Sequence, residues 1–168
     1  MALLKTISGI RGTIGGKEDE GLTPFDIVKY AISYAFMIKE RNGNGAIIVG
    51  RDARLSGTMV NNLVVGSLLG AGVDVIDLGL STTPTVEMAV VDYNAIGGII
   101  LTASHNPKQW NALKLLNQKG EFISAEDGAE VLKRAEKSDN FTFPEIDELG
   151  KYTTDDSYAK KHIEHILN

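Results

Sequence analysis

Apolar positions along the chain form two kinds of segment that alternate. Short uninterrupted apolar runs, such as 46–49, are typical of strands that are buried on both faces of a parallel sheet. Longer segments repeat apolar residues every three or four positions, as an amphipathic helix does. Strands are predicted at 3–7, 46–50, 74–80, 95–101 and 111–116, and helices at 24–42, 58–71, 83–93, 125–138 and 155–167. This alternation predicts the α/β fold class: a three-layer α/β/α sandwich with a mostly parallel, mixed sheet.

Local signals add detail to these elements. Thr23 and Pro24 have the residue types that favour the N-cap and the first position of a helix. The glycine-rich stretch 9–21 is predicted to be a loop. Gly66 and Gly70 lie four positions apart on the second predicted helix, where a glycine costs about 1 kcal/mol relative to alanine. We therefore expect that helix to approach the sheet closely at these two positions.

The composition excludes several classes of protein. The formal net charge is −5, whereas nucleic-acid-binding proteins are normally basic. Cysteine is absent, which excludes disulfides, thiolate metal sites and cysteine nucleophiles. No apolar run approaches the roughly 18 residues of a membrane span, and the first apolar stretch is too short for a signal peptide. We expect a cytoplasmic protein that has no nucleic-acid or membrane partner.

Polar and charged residues cluster in the loops that follow three predicted strands. In open α/β sheets, ligands bind beyond the carboxyl ends of the strands. The chain has 18 glycines in 168 residues, and several lie in or beside the first two of these loops. Such loops can bind an anion through backbone amides and arginines, or they can be ordinary turns, and the residues alone leave both interpretations open. The candidate side chains are Arg11, Arg51, Asp52, Arg54, Ser104, His105 and Asn106.

Ser104 follows an apolar strand by three residues and allows three interpretations. It can cap the turn that precedes Asn-Pro, which is a common role for serine. It can be a hydrolase nucleophile, although the G-x-S-x-G motif is absent and the adjacent His105 would not generally face it. It can also carry a phosphoryl group, which requires donors and cations nearby. Residues of that kind are His105, Asn106, Lys108 and Lys114.

Three motifs, in order along the chain, resemble those of one enzyme superfamily. Thr-Ala-Ser-His-Asn-Pro at 102–107, with Trp-Asn-Ala-Leu-Lys at 110–114, resembles the phosphoserine loop of the α-D-phosphohexomutases. These include phosphoglucomutase, phosphomannomutase and phosphoglucosamine mutase. Ser-Gly-Ile-Arg-Gly at 8–12 resembles their N-terminal motif, and Val-Gly-Arg-Asp-Ala-Arg-Leu-Ser-Gly at 49–57 resembles their second loop. The resemblance covers about residues 3–137 and implies domain I of that superfamily.

The resemblance implies a central role for Ser104. This residue would be the phosphoserine that donates its phosphoryl group to a hexose phosphate and takes one back from a hexose 1,6-bisphosphate intermediate. The phosphate on Ser104 would also be a ligand of Mg²⁺. The other ligands would be aspartates of an Asp-Gly-Asp-Gly-Asp type of loop, which this sequence lacks.

Five further residues match functional positions of the superfamily. Lys114 would be the general acid/base, and Arg11 and His105 would stabilise negative charge on the transferring group. Asn106 and Arg54 would contact the substrate phosphate. Of the remaining loop residues, Arg51 and Asp52 would hold the loops in place.

The resemblance also implies that the chain is one part of a larger enzyme. Residues 1–138 would form domain I, and 139–168 would be a connecting segment whose helix is expected to lack a partner. The expected partners are a hexose phosphate and the missing domains II–IV of the same polypeptide. Because phosphoryl transfer depends on positioning by all these parts, the isolated chain is expected to be inactive. The alternative function is a non-catalytic, doubly wound module that binds an anion or a nucleotide.

Overall fold

The computed structural model describes residues 2–6, 9–137 and 140–167. The strands are β1 (Leu3–Thr6), β2 (Gly9–Thr13), β3 (Ala46–Arg51), β4 (Asp74–Leu80), β5 (Gly97–Leu101), β6 (Trp110–Leu116) and β7 (Tyr152–Thr154). The helices are α1 (Pro24–Asn42), α2 (Gly57–Gly70), α3 (Thr83–Asp92), α4 (Ala125–Glu136) and α5 (Tyr158–Leu167). A short 3-10 helix occupies Ile146–Glu148. None of the described helices is long and apolar enough to cross a membrane.

All seven described strands belong to one mixed sheet in the order β1-β2-β6-β5-β3-β4-β7. The pairings of β3 with β4 and β5, and of β4 with β7, are parallel. The pairings of β1 with β2, β2 with β6, and β5 with β6 are antiparallel. The predicted α/β class is confirmed, and the antiparallel pairing of β5 with β6 has a simple cause. The connection between β5 and β6 is too short for the crossover of a dozen or more residues that a parallel neighbour requires.

Alternate residues of the central strands point to two separate apolar clusters, which gives the three layers. Ile47 and Ile99 pack in the larger cluster with side chains of α1, α2 and α4. Ile48 and Ile100 pack in the smaller cluster with side chains of α3 and with Tyr158 of α5. This two-faced burial explains why β3 and β5 are uninterrupted apolar runs. The predicted α/β/α sandwich is therefore confirmed.

Helix α1 begins at the predicted position. Thr23 adopts an extended conformation, and its hydroxyl accepts a hydrogen bond from the amide of Asp26. The Asp26 carboxylate accepts in return from the amide and the hydroxyl of Thr23, which completes a capping box. Asp26 is fully buried at this helix end.

Two predictions in the glycine-rich segments are wrong. Residues 9–13 form β2 rather than a loop, because they pair with β1 on one side and β6 on the other. Gly9 permits this pairing, since its φ is 142° and a Cβ would lie 2.0 Å from the carbonyl oxygen of Leu113. Gly66 and Gly70 face open space, so the expected close approach of α2 to the sheet is not present.

The C-terminal segment packs on the rest of the fold. Strand β7 pairs in parallel with β4, and Tyr158 at the start of α5 is 1% exposed. The Tyr158 hydroxyl donates to the carboxylate of Asp92 in α3, and Thr85 of α3 shares a hydrogen bond with His162. The expectation that this helix would lack a partner is therefore wrong. The division of the chain into 1–138 and 139–168 stays a prediction.

Candidate functional site

The site is built where β3 and β5 end. These neighbouring parallel strands send their following loops to the same edge of the sheet. The amide of Asp52 donates to the carbonyl oxygen of Leu101 at 3.1 Å, so the two loops are joined at their first residues. The sequence predicted that the loops after these two strands lie at the carboxyl ends of the sheet, and the pairing of β3 with β5 brings them into contact.

Asp52 is the acceptor around which both loops are organised. One of its carboxylate oxygens accepts from the Thr102 hydroxyl at 2.7 Å and from the Arg54 Nε at 3.1 Å. The other oxygen accepts from the backbone amide of Arg54 at 3.1 Å. The carboxylate thereby closes its own loop and binds the first residue of the neighbouring one. This arrangement agrees with the implied role of Asp52 in holding the loops.

Arg54 binds the backbone of the Ser104 loop. One terminal nitrogen of its guanidinium donates to the carbonyl oxygens of Pro107 and Trp110, both at 2.9 Å. The other donates to the carbonyl oxygens of Ser104 and Asn106, both at 2.8 Å. With the bond from Nε to Asp52, all five N–H donors of the guanidinium have acceptors within the protein. The geometry makes Arg54 a clamp on the loop, and the phosphate contact implied for it stays a prediction.

Ser104 lies at the exposed tip of this clamped loop. Its φ is 54°, a left-handed conformation that is uncommon for residues other than glycine. Its amide donates to the Thr102 hydroxyl at 3.0 Å, and its carbonyl oxygen accepts from Arg54. Both backbone polar groups are thus bound, while the side-chain Oγ lies 3.4 Å from Nδ1 of His105. The turn presents the hydroxyl to solvent.

Two cations lie beside this loop on the antiparallel half of the sheet. Arg11 of β2 is opposite Ala112 of β6, and Lys114 is opposite Gly9. Arg11 and Lys114 line a shared cavity of about 200 Å³. A terminal nitrogen of Arg11 reaches the Asn106 side-chain oxygen at 3.4 Å, which links the cavity to the Ser104 loop. In the part of the chain that is described, no hydrogen bond joins Lys114 to Ser104. The Nζ of Lys114 lies 5.7 Å from the centre of the Phe122 ring.

Sequence reasoning missed two residues that shape the site. Thr102 bridges Asp52 and Ser104, as described above. Asn111 is fully buried, and its side-chain nitrogen donates to the Ser56 hydroxyl at 2.9 Å, which ties β6 to the first loop. The available signal was a polar residue directly after a buried strand, Thr102, or within one, Asn111, but the sequence does not show what such a side chain contacts.

The left-handed turn at Ser104 leads to a stability prediction. Left-handed backbone costs an L-residue roughly 1–2 kcal/mol, and glycine avoids this cost. We expect Ser104→Gly to be more stable than Ser104→Ala by about 1 kcal/mol in urea unfolding. Ser67 is the matched control, because it lies within α2, where alanine is favoured over glycine. There the alanine variant should be at least as stable as the glycine variant, and equal stabilities at position 104 would contradict the prediction.

The described residues do not by themselves form a metal site. They contain no group of three or more His, Asp or Glu side chains that could hold an ion. Magnesium prefers octahedral oxygen coordination, and carboxylates supply much of the charge. The nearby carboxylate of Asp52 is already bonded to Thr102 and Arg54. The expected magnesium would need ligands from outside these residues, so no chemical step below is assigned to it.

Fold and site together define a class: an α/β domain that presents a clamped polar loop and flanking cations at one edge of its sheet. Residues 3–142 match the family model described as phosphoglucomutase/phosphomannomutase, alpha/beta/alpha domain I. A phosphoglucomutase/phosphomannomutase of Thermococcus kodakarensis is 35% identical over 160 residues, which cover 94% of this chain and 35% of that protein. A phosphoglucosamine mutase of Nautilia profundicola is 36% identical over 157 residues, which cover 92% of this chain and 35% of that protein.

A solved structure shows the same fold. The phosphoglucomutase/phosphomannomutase family protein of Burkholderia thailandensis superposes with a TM-score of 0.80 at 27% identity, covering 96% of this chain and 34% of that one. The chain therefore belongs to the phosphoglucomutase/phosphomannomutase family, as its domain I. It spans about a third of the length of the relatives that it matches.

Proposed function

We propose that this chain is the domain of a phosphohexomutase that carries the phosphoryl-accepting serine, Ser104. One observation supports this proposal above all others. In the left-handed turn at Ser104, the backbone amide and carbonyl oxygen of the residue are both hydrogen-bonded, and its hydroxyl is exposed. Strained, over-determined backbone of this kind is concentrated at functional sites. A serine that merely capped a turn would use its own hydroxyl for that purpose.

The proposed reaction is a phosphoryl transfer to and from Ser104. Its Oγ forms a bond to phosphorus as the bond from phosphorus to a sugar oxygen of a hexose 1,6-bisphosphate breaks, and the hydroxyl proton passes to that oxygen. The reverse step returns the phosphoryl group to the other sugar position. Such transfers rely on positioning and on stabilising charge spread over the phosphoryl oxygens.

The flanking residues support this chemistry by their placement. Arg11 and Lys114 supply positive charge in one cavity, and Arg11 contacts Asn106 of the serine loop. His105 places a ring nitrogen near the Ser104 hydroxyl, where it can bond to the hydroxyl or to an attached phosphate. We assign Lys114 the general acid/base role and Arg11, His105 and Asn106 the binding of the phosphoryl group. The substrate is proposed to be a hexose phosphate, with Mg²⁺ and the sugar contacts supplied by further domains.

A chimera tests the proposal. In it, this chain replaces the matching third of the Thermococcus kodakarensis relative, and mutase activity is measured with glucose 1-phosphate and mannose 1-phosphate. Ser104→Ala is expected to lower kcat/KM by at least about a thousandfold, because the attacking oxygen is removed. Phosphopeptide mass spectrometry after incubation with the bisphosphate should locate the phosphoryl group on Ser104.

Two controls complete this test. Ser81→Ala removes a serine hydroxyl whose one bond among the described residues goes to a local carbonyl oxygen, that of Leu78. The chimera should keep its activity. The 168-residue chain alone should show no turnover. A Ser104→Ala chimera that retains full activity, or a phosphoryl group located on another residue, would refute the role of Ser104.

A further inference from the structure

Thr102, the first residue after β5, has its hydroxyl between a hydrogen-bond acceptor and a hydrogen-bond donor. The oxygen lies 2.7 Å from a carboxylate oxygen of Asp52 and 3.0 Å from the backbone nitrogen of Ser104. An ionised carboxylate can only accept a hydrogen bond, and a backbone amide can only donate one. The Thr102 hydroxyl must therefore donate to Asp52 and accept from Ser104 at the same time.

This bonding pattern restricts which side chains can occupy the position. A hydroxyl on a short side chain can donate one hydrogen bond and accept another, whereas valine has the same shape and can do neither. Serine retains the hydroxyl and loses only a methyl group. The pair of substitutions Thr102→Val and Thr102→Ser thus separates the hydroxyl from the shape of the side chain.

We propose that Thr102 is a positioning residue for phosphoryl transfer, acting through the backbone of Ser104. The inference rests on the function proposed for Ser104. The Thr102 hydroxyl holds the Ser104 amide, and the Arg54 guanidinium holds the Ser104 carbonyl oxygen. With both ends of the residue fixed, its φ of 54° is maintained and Oγ keeps one direction.

The direction of Oγ matters because in-line transfer needs the attacking oxygen about 3–3.5 Å from phosphorus and correctly aligned. A turn that relaxes toward ordinary negative φ would rotate the hydroxyl away from its position beside Nδ1 of His105. The carboxylate of Asp52 strengthens the arrangement, because a hydroxyl that donates to a charged acceptor is a better acceptor itself. Thr102 touches neither the substrate nor the reacting atoms in this proposal.

The first experiment measures the turn directly. Amide exchange of Ser104 with water is followed by NMR in the chain and in its Thr102→Val and Thr102→Ser variants. Thr102→Val should speed the exchange about tenfold or more, because the acceptor of the Ser104 amide is lost. In Thr102→Ser, the exchange rate of the Ser104 amide should remain close to that of the parent chain. Thr153→Val is the matched control, since Thr153 lies in β7 and its hydroxyl donates to the Val75 carbonyl oxygen of β4, in a different part of the sheet from the loop.

The second experiment measures the consequence for transfer in the chimera. Thr102→Val is expected to lower kcat by about a hundredfold with little change in KM, and Thr102→Ser should restore most of kcat. A merely structural contribution would lower the urea midpoint without this split between kcat and KM. Unfolding curves of all variants establish that folded protein is compared.

The outcomes separate the two proposals. Unchanged Ser104 exchange in Thr102→Val, or equal losses in Thr102→Ser and Thr102→Val, would overturn the positioning role. If the parent chimera forms phosphoserine at a residue other than Ser104, the function proposed for Ser104 is wrong. In that case the exchange measurement still decides whether the hydroxyl holds the turn.

Discussion

Arg54→Ala is expected to release the loop that carries Ser104. The substitution leaves four carbonyl oxygens without the guanidinium that binds them. Hydrogen bonds to charged groups contribute about 1.5–3 kcal/mol each, but this loop is partly exposed and water can replace some of them. We expect the free energy of unfolding to fall by about 2–4 kcal/mol in urea titration. The Ser104 amide should exchange faster as well.

Free guanidinium offers a specific control for this variant. The cavity left by Arg54→Ala retains the carboxylate of Asp52 and the converging carbonyl oxygens. Millimolar guanidinium chloride should therefore slow Ser104 exchange in the variant, and the same concentration of sodium chloride should not. Arg51→Ala provides a stability comparison. Among the described residues, the Arg51 guanidinium donates to a single carbonyl oxygen, that of Asp52, so its removal should lower the free energy of unfolding by less. Equal stabilities of Arg54→Ala and the parent chain would contradict the clamp.

Asp26→Ala is expected to destabilise the fold more than Asp127→Ala, which changes the corresponding residue in the capping box of α4. The Asp26 carboxylate is fully buried and accepts from the amide and the hydroxyl of Thr23, which are buried as well. Its removal leaves buried donors unpaired, which costs about 1–3 kcal/mol for each group that water cannot reach. We expect a loss of about 3 kcal/mol in the free energy of unfolding.

The matched control is Asp127→Ala in α4. Ser124 and Asp127 form the same reciprocal capping box, but the Asp127 side chain is 19% exposed and water can reach the freed groups. A loss of about 1 kcal/mol is expected there, within the usual range for a helix cap. The two variants compared by thermal and urea unfolding test whether burial sets the effect. Equal losses at the two positions would show that it does not.

Elements with strong local patterns were predictable from the sequence. The caps at Thr23 and Ser124 and the doubly buried strands β3 and β5 carry their own signals in neighbouring residues. Strands β2 and β7 do not, because each is short and poor in apolar residues and exists through pairing with a distant strand. Their formation depends on contacts that no local window of sequence contains.

The same limit applies to the candidate site. The motifs located the residues of the Ser104 loop, and the rule that ligands bind beyond the carboxyl ends of the strands placed that loop at the same edge of the sheet as Asp52 and Arg54. What Arg54 contacts was not predictable, since an arginine near a phosphate-type loop can bind the ligand or the loop itself. Its five donors all have acceptors in the protein, and only coordinates show where those acceptors lie.

The carbonyl clamp has a consequence for how the serine loop can be reused. Arg54 and Ser104 are separated by 50 positions in the chain, as are Asp52 and Thr102. The shape of the loop therefore depends on two distant stretches of sequence, and it forms only once β3 and β5 lie side by side. A free peptide of residues 102–107 should not keep the left-handed turn. Transplanting the serine into another protein would require moving both loops and the two strands as one unit.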